Sequence, residues 1–107
     1  MTLCLAAFVG GGAGSVRAQN RIEVVASRGG FRPRAINLRK GETVRLALTT
    51  SDDEHCFAVD ALRIEKRIVP GKTTTVDLTA ERAGTFPFYC CLEAGEDSQR
   101  GKLVVTE

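Results

Sequence analysis

One histidine and one of the cysteines are the side chains of this chain that are best suited to metal chemistry. His55 opens the apolar segment 55–59, and Cys90 ends the segment 86–90. Imidazole nitrogen and cysteine sulfur together favour copper or zinc, and mononuclear electron-transfer copper uses a trigonal His and Cys set with a weak axial ligand. We therefore take His55 and Cys90 as candidate metal ligands. The simpler alternatives are a structural histidine at the start of a strand and an inert buried thiol.

The number of cysteines supports a special role for one of them. The chain has four, and Cys4 lies in an N-terminal segment that we expect to be removed. An exported protein normally pairs its cysteines, so the remaining odd number suggests that one thiolate has another task, such as binding a metal. The alternative is one disulfide and one bystander thiol.

Cys56 and Cys91 each directly follow a candidate ligand, so each should point away from the side that its neighbour faces. If the strands that carry His55 and Cys90 are adjacent, Cys56 and Cys91 can form a disulfide, provided that their Cα atoms lie within about 7 Å. Two alternatives stay open. Cys91 could supply a second thiolate to the metal, or Cys90 and Cys91 could form a vicinal disulfide.

Residues 1–18 differ in composition from the rest of the chain. The apolar run 3–9 is followed by a glycine-rich stretch and by Val16, Arg17 and Ala18. This order resembles the end of a secretory signal peptide cleaved before Gln19, although the usual basic start is missing. We expect a domain at 19–107 that is periplasmic or secreted. The alternative is a frayed terminus or a membrane anchor, but a stable membrane span needs about 20 apolar residues.

Composition and charge exclude several classes of function. The chain has 107 residues, enough for one domain, with 43% hydrophobic and 26% charged residues, which argues against disorder. Fifteen basic and thirteen acidic side chains give a net charge of +2, too balanced for a nucleic-acid-binding protein. A single histidine leaves no Ser/His/Asp triad, and no phosphate-binding glycine loop is present, so we expect no enzyme activity. A monomer is expected.

The elements that must position the candidate ligands are strands. Apolar residues alternate with polar ones, and β-branched residues are frequent. The predicted strands are 22–25, 35–38, 43–49, 55–59, 73–78, 86–90 and 102–106, with short apolar pieces at 62–64 and 68–69. Turn signals separate them at 29–30, 40–42, 52–53, 70–72 and 83–85. Short strands at this spacing, without amphipathic helices, indicate an all-β sandwich or barrel.

The stretches 55–64, 68–72, 84–90 and 101–105 resemble a cupredoxin. The most similar branch is the copper domain of cytochrome c oxidase subunit II and its free-standing periplasmic relatives. The resemblance covers nearly all of residues 21–106. It implies a Greek-key β-sandwich of seven or eight strands, copper as the cofactor and single-electron transfer. It also implies that His55 and Cys90 are ligands, and that the partner is a redox protein such as a c-type cytochrome or an oxidase.

The loop between Cys90 and Gly101 departs from the family pattern. A two-copper member has a second Cys four residues after the first, then Gly, and later a His and a Met. Here Ala94 stands at the second Cys position, and the loop contains neither His nor Met. When the loop is aligned as a shortened mononuclear one, Glu96 falls at the His position and Gln99 near the Met position. The resemblance therefore implies an atypical copper site of His55, Cys90, Glu96 and Gln99. For the two loop residues the alternative is a solvated side chain.

The resulting hypothesis is an exported copper-binding protein that carries single electrons, or copper itself, without substrate turnover. Its rival is a metal-free binding or assembly module on the same fold, which the missing loop ligands favour. Acidic side chains at Glu93, Glu96 and Asp97 would steer a basic redox partner, although solvated strand edges and loops explain such charges as well.

Overall fold

A computed structural model describes residues 20–107. The signal peptide that the sequence predicts at 1–18 lies outside these residues. Within the described part, the chain forms nine strands and two single-turn 3-10 helices, Asp60–Leu62 and Asp97–Gln99. The strands are β1 (Asn20–Ser27), β2 (Gly30–Arg32), β3 (Ala35–Arg39), β4 (Thr43–Thr50), β5 (His55–Val59), β6 (Ile64–Ile68), β7 (Thr74–Thr79), β8 (Gly84–Tyr89) and β9 (Arg100–Thr106).

The strands form two sheets that pack face to face. One sheet has the order β2-β1-β4-β7, and the other has the order β3-β9-β8-β5-β6. Strands β1 and β4 pair in parallel, as do β3 and β9, and the remaining pairs are antiparallel. This arrangement confirms the predicted all-β Greek-key sandwich. Between residues 20 and 107, no helix has the length and apolar content that crossing a membrane requires.

Two strands depart from the sequence prediction of seven or eight. The pair Gly29 and Gly30 predicts only a turn, but Gly30 also begins β2, where its positive φ of 116° suits a residue without a side chain. The short apolar pieces at 62–64 and 68–69 predict no continuous strand. In the structure, charged residues at 65–67 join them into β6, because β6 is an edge strand with an exposed face.

The core next to the candidate ligands is built from three phenylalanine rings. Phe31 comes from one sheet, and Phe57 and Phe88 come from the other. Their ring centroids lie 5.0 to 5.7 Å apart, and Phe31 meets both other rings edge-on. Such edge contacts add stabilisation beyond the burial of area. We call these three rings the aromatic cluster.

The aromatic cluster leaves no space at Gly101, which is opposite Phe88 in the β8–β9 register. A Cβ atom at Gly101 would collide with the Phe88 ring and lie 2.6 Å from the carbonyl oxygen of Arg34. We predict that Gly101→Ala lowers the free energy of unfolding by about 1–3 kcal/mol, the usual cost of overpacking. Urea denaturation measures this. Gly95→Ala is the matched control, because a Cβ there meets nothing within 4 Å; equal effects of the two substitutions would contradict the packing argument.

Candidate metal centre

The two candidate ligands lie on neighbouring strands and face each other. His55 is the first residue of β5, and Cys90 directly follows β8, its neighbour in the five-stranded sheet. The Cys90 Sγ atom lies 3.9 Å from His55 Nδ1. Both residues are buried, with 2% of His55 and none of Cys90 exposed. Because side chains alternate along a strand, His55 and Cys90 lie on the same side as Phe57 and Phe88. The aromatic cluster is therefore the apolar floor of this pair.

A carboxylate fixes the orientation of the imidazole. Asp52 Oδ1 lies 2.8 Å from His55 Nε2, while Asp52 Oδ2 accepts a hydrogen bond of 2.8 Å from the Arg28 N–H. The Arg28 N–H first, and the His55 ring second, hold the pKa of Asp52 well below its ordinary value. An ionised carboxylate only accepts hydrogen bonds, so Nε2 carries the proton. The lone pair of Nδ1 is then directed at Cys90, as a metal ligand requires.

A third donor comes from the loop after β8. The carboxylate of Glu93 has an oxygen within 4.8 Å of the donor atoms of His55 and Cys90. The backbone explains this position, because the Glu93 N–H donates to the Cys90 carbonyl at 3.0 Å and so closes a turn over Cys90. Sequence reasoning did not identify Glu93 as a ligand, because its position depends on this turn and not on its residue type.

Glu96, which the sequence predicts at the histidine position, is not brought to this group. Its side chain is exposed, and its N–H continues the loop by donating to the Glu93 carbonyl at 3.0 Å. Glu96 was predicted because it follows Gly95, where the family pattern has a histidine. The loop instead folds as consecutive turns, so the carboxylate beside the thiol belongs to Glu93.

Gln99 is buried next to Cys90, with 1% of its surface exposed. Its amide nitrogen donates to the carbonyls of Ser27 and Arg28 at 2.9 and 3.0 Å, which ties the loop to the end of β1. The backbone carbonyl of Gln99 accepts a hydrogen bond of 3.0 Å from the Cys90 N–H. Among residues 20–107, Gln99 Oε1 is the one buried side-chain oxygen or nitrogen without a hydrogen-bond partner. Its lone pairs are thus free for a further ligand, and metal ligation by Gln99 remains a prediction.

The cysteines adjacent to the pair form a disulfide. Cys56 and Cys91 are bridged, with their Cα atoms 5.1 Å apart, and Cys90 is the one free cysteine of the described residues. The structure thereby selects the conditional prediction of a Cys56–Cys91 bond over a vicinal Cys90–Cys91 bond or a second free thiolate at Cys91. The bridge spans 35 positions, as does the separation of His55 from Cys90. It therefore holds together the two backbone segments that carry the pair.

Reduction of this disulfide should lower stability. In the chain-entropy description, the constraint contributes between about 3 kcal/mol for a 15-residue loop and about 4.7 kcal/mol for a 100-residue loop. The 35-residue loop here falls between these limits. We predict a loss of that size in the free energy of unfolding, measured by urea denaturation with and without a phosphine reductant. An unchanged midpoint in a protein whose thiols are shown to be free would contradict the prediction.

Comparison with known proteins identifies the family of the chain. Residues 1–105 match the family model of the cupredoxin-like domain. Cytochrome c oxidase subunit 2 of Thermus thermophilus is 30% identical over 91 residues, which cover 83% of this chain and 67% of that protein. A probable cytochrome c oxidase subunit 2 of Streptomyces avermitilis is 38% identical over 63 residues, which cover 59% of this chain. The match spans only 20% of the Streptomyces protein.

A solved structure shares the architecture at low sequence identity. The periplasmic domain of subunit II of cytochrome oxidase from Bradyrhizobium japonicum superposes with a TM-score of 0.74 and 18% identity. The superposition covers 86% of this chain and 87% of that domain. At this identity the likeness concerns the fold. It agrees with the two-sheet sandwich.

Proposed function

The chain belongs to the cupredoxin-like family, and from this premise we propose that it binds one copper ion through Cys90 and His55 and carries single electrons. The observation that carries the proposal is the buried pair itself, with the free thiol of Cys90 3.9 Å from His55 Nδ1. The Thermus relative is an oxidase subunit, and the Bradyrhizobium domain is periplasmic. Together with the predicted signal peptide, they support export of this chain as well.

The residues present fit copper. A thiolate sulfur and an imidazole nitrogen are two of the three strong donors of a mononuclear electron-transfer copper site, and weak axial oxygen ligands are known for such sites. Glu93 offers a carboxylate oxygen at the same group, and Gln99 Oε1 is a buried acceptor whose bonding is incomplete. A copper ion held by these residues would supply a one-electron couple. Because a carboxylate would stand in place of a second imidazole, we also propose that the copper site has an atypical colour and reduction potential.

The chain's own residues give the pair its rigidity. Asp52 keeps the proton on Nε2 of His55, and the Cys56–Cys91 bridge fixes the backbone on the far side. The aromatic cluster excludes water from the floor of the site. A site whose ligands are held in place reorganises little between two oxidation states, which suits electron transfer without substrate turnover.

The rim of the site supports a protein partner. Leu92 follows the disulfide and is the exposed large apolar residue of the described part, with 44% of its surface accessible. The acidic side chains that follow it in the same exposed loop are Glu93, Glu96 and Asp97. Arg100 lies 3.7 Å from Asp97 and offsets one of these negative charges. Such a surface favours a basic partner, and we propose a c-type cytochrome or an oxidase.

A metal-free assembly module is the second candidate, because the loop 91–100 contains neither His nor Met. A Cu(II) titration of the full chain, with Cys90 reduced and the disulfide intact, separates the two candidates. Intense thiolate-to-copper absorption that saturates at one ion per chain supports the copper protein, and the hyperfine pattern in electron paramagnetic resonance distinguishes one copper from a mixed-valence pair. Absence of both the band and retained metal would leave the assembly module.

Substitution of the thiolate should abolish the site. We predict that Cys90→Ser loses the charge-transfer band and retains no copper after desalting, because a serine hydroxyl is neither soft nor ionised at neutral pH. Metal analysis and visible spectra measure this. The Cys56–Cys91 bridge stays in the variant, so a native melting profile can be verified alongside. Full copper retention by a folded Cys90→Ser protein would exclude Cys90 as a ligand.

The two glutamates of the loop provide a matched pair. We predict that Glu93→Gln weakens copper binding about tenfold, at the low end of the effects seen when groups around a metal are removed, while Glu96→Gln leaves it unchanged. Both substitutions remove one negative charge from the same exposed loop, so general electrostatics cancel in the comparison. Competition with a copper chelator gives the two dissociation constants. A larger effect of Glu96→Gln would contradict the role proposed for Glu93 and favour Glu96 as the ligand, as the family pattern implies.

A further inference from the structure

The outer face of the five-stranded sheet carries a second group of ligand-type side chains. In the β5–β6 register, Cys56 is opposite Arg67, and Ala58 is opposite Glu65. Side chains of directly opposed residues project to the same face, and the face alternates along each strand. Cys56 and Glu65 therefore share the face that is opposite to that of His55.

The atoms of this group are close enough to bind one ion. The sulfur atoms of Cys56 and Cys91 and a carboxylate oxygen of Glu65 all lie within 4.8 Å of one another. In the oxidised protein the two sulfur atoms are bonded to each other and are not thiolates. We propose that reduction of this disulfide creates a second metal site, in which Cys56, Cys91 and Glu65 bind Cu(I).

The burial of the two sulfur-bearing residues defines where reduction begins. Cys91 is half-buried at the start of the exposed loop, whereas Cys56 is 1% exposed. A thiolate of a small or protein dithiol attacks the Cys91 sulfur, a mixed disulfide forms, and Cys56 leaves as a thiolate. The second thiol of the reductant then releases Cys91. In sum, one protein disulfide and one dithiol give one protein dithiol and one reductant disulfide.

Backbone hydrogen bonds support the positions of the two cysteines in addition to the bond between them. Strand β5 remains paired with β6 over its whole length, which positions Cys56 relative to Glu65. Cys91 is held by its neighbour, because the Cys90 N–H donates to Gln99 and the Cys90 carbonyl accepts from Glu93, both at 3.0 Å. The two backbone segments therefore stay adjacent, with Cα atoms that are 5.1 Å apart in the oxidised protein, and rotation of the freed side chains lets the two sulfur atoms separate around an ion.

The donor set selects the ion. Two thiolates form a soft site, and soft sites select Cu(I) over hard cations. Binding of Cu(I) to the dithiol releases two protons, so the ion replaces both S–H bonds without change of oxidation state. Because this group lies on the opposite face from His55 and Cys90, the second site can be tested independently of the copper site proposed above.

The test uses the full chain with Cys90→Ser, which removes the inner thiolate and keeps the disulfide. Cu(I) is supplied in a coloured chelator complex under anaerobic conditions, before and after phosphine reduction and desalting. We expect no transfer of Cu(I) to the oxidised variant and transfer of one Cu(I) per chain to the reduced variant. X-ray absorption should then show two sulfur neighbours. The control is reduced Cys56→Ser/Cys90→Ser, which keeps Cys4 and Cys91 but lacks the paired thiol and should lose the tight binding.

Three outcomes would overturn the proposal. One is equal Cu(I) transfer to the reduced variant and to the control. Another is a preference of the reduced variant for Zn(II) when both ions are offered. The third is loss of the sandwich on reduction, followed by near-ultraviolet circular dichroism, because the site requires the paired strands. If Cys90→Ser does not fold, the wild-type chain decides the question: reduction must raise its Cu(I) capacity by one ion, and an unchanged capacity contradicts the site.

Discussion

The packing of Phe57 and Phe88 against Phe31 is the contact on which the rest of this structure depends. It joins the two sheets at the end where β5 and β8 run side by side. The residue two positions before Phe57 is His55, and the residue two positions after Phe88 is Cys90. Because side chains alternate along a strand, His55 and Cys90 lie on the same face as the two phenylalanines, and the packing of the rings sets the distance between them. The site needs no scaffold beyond the core of the domain.

Hydrogen bonds and a disulfide further restrict the orientation of the His55 ring and the position of the loop after β8. Asp52 lies three residues before His55 and orients its ring, and the backbone N–H groups of Arg28 and Asp53 keep this carboxylate ionised. The Cys56–Cys91 bond closes the other side. Gln99 connects the loop to the first strand across the sandwich. Polar contacts from three separate parts of the chain thus converge on two side chains.

The sequence was sufficient for the all-β fold, which follows from period-two alternation, and it singled out His55 and Cys90 by residue type, two side chains that the structure brings together. It failed for β2 and for the loop. Gly29 and Gly30 are turn residues by composition, and only pairing with β1 makes a strand that starts at Gly30. Glu93 and Glu96 are the same residue type, and both are exposed. Their difference arises from the direction in which successive turns lead the backbone, which has no signature in residue type. The family pattern could not help, since the loop departs from it.

Gln99 illustrates a different limit. The family resemblance implied its place beside His55 and Cys90, but its hydrogen bonds to Ser27 and Arg28 join residues 72 and 71 positions apart. No local rule addresses such a contact. The side chain serves the architecture through its nitrogen, and its oxygen remains the unpartnered atom.

The equal separation of the disulfide and of the inner pair also has a consequence for the unfolded chain. A covalent bond between Cys56 and Cys91 persists when the sheets come apart, so His55 and Cys90 remain neighbours at high effective concentration even in a denatured ensemble. An ion that binds the pair would then bind to the unfolded as well as to the folded chain. Because ligands stabilise a fold only by their preference for it, metal would raise the melting temperature of this protein less than its affinity alone suggests.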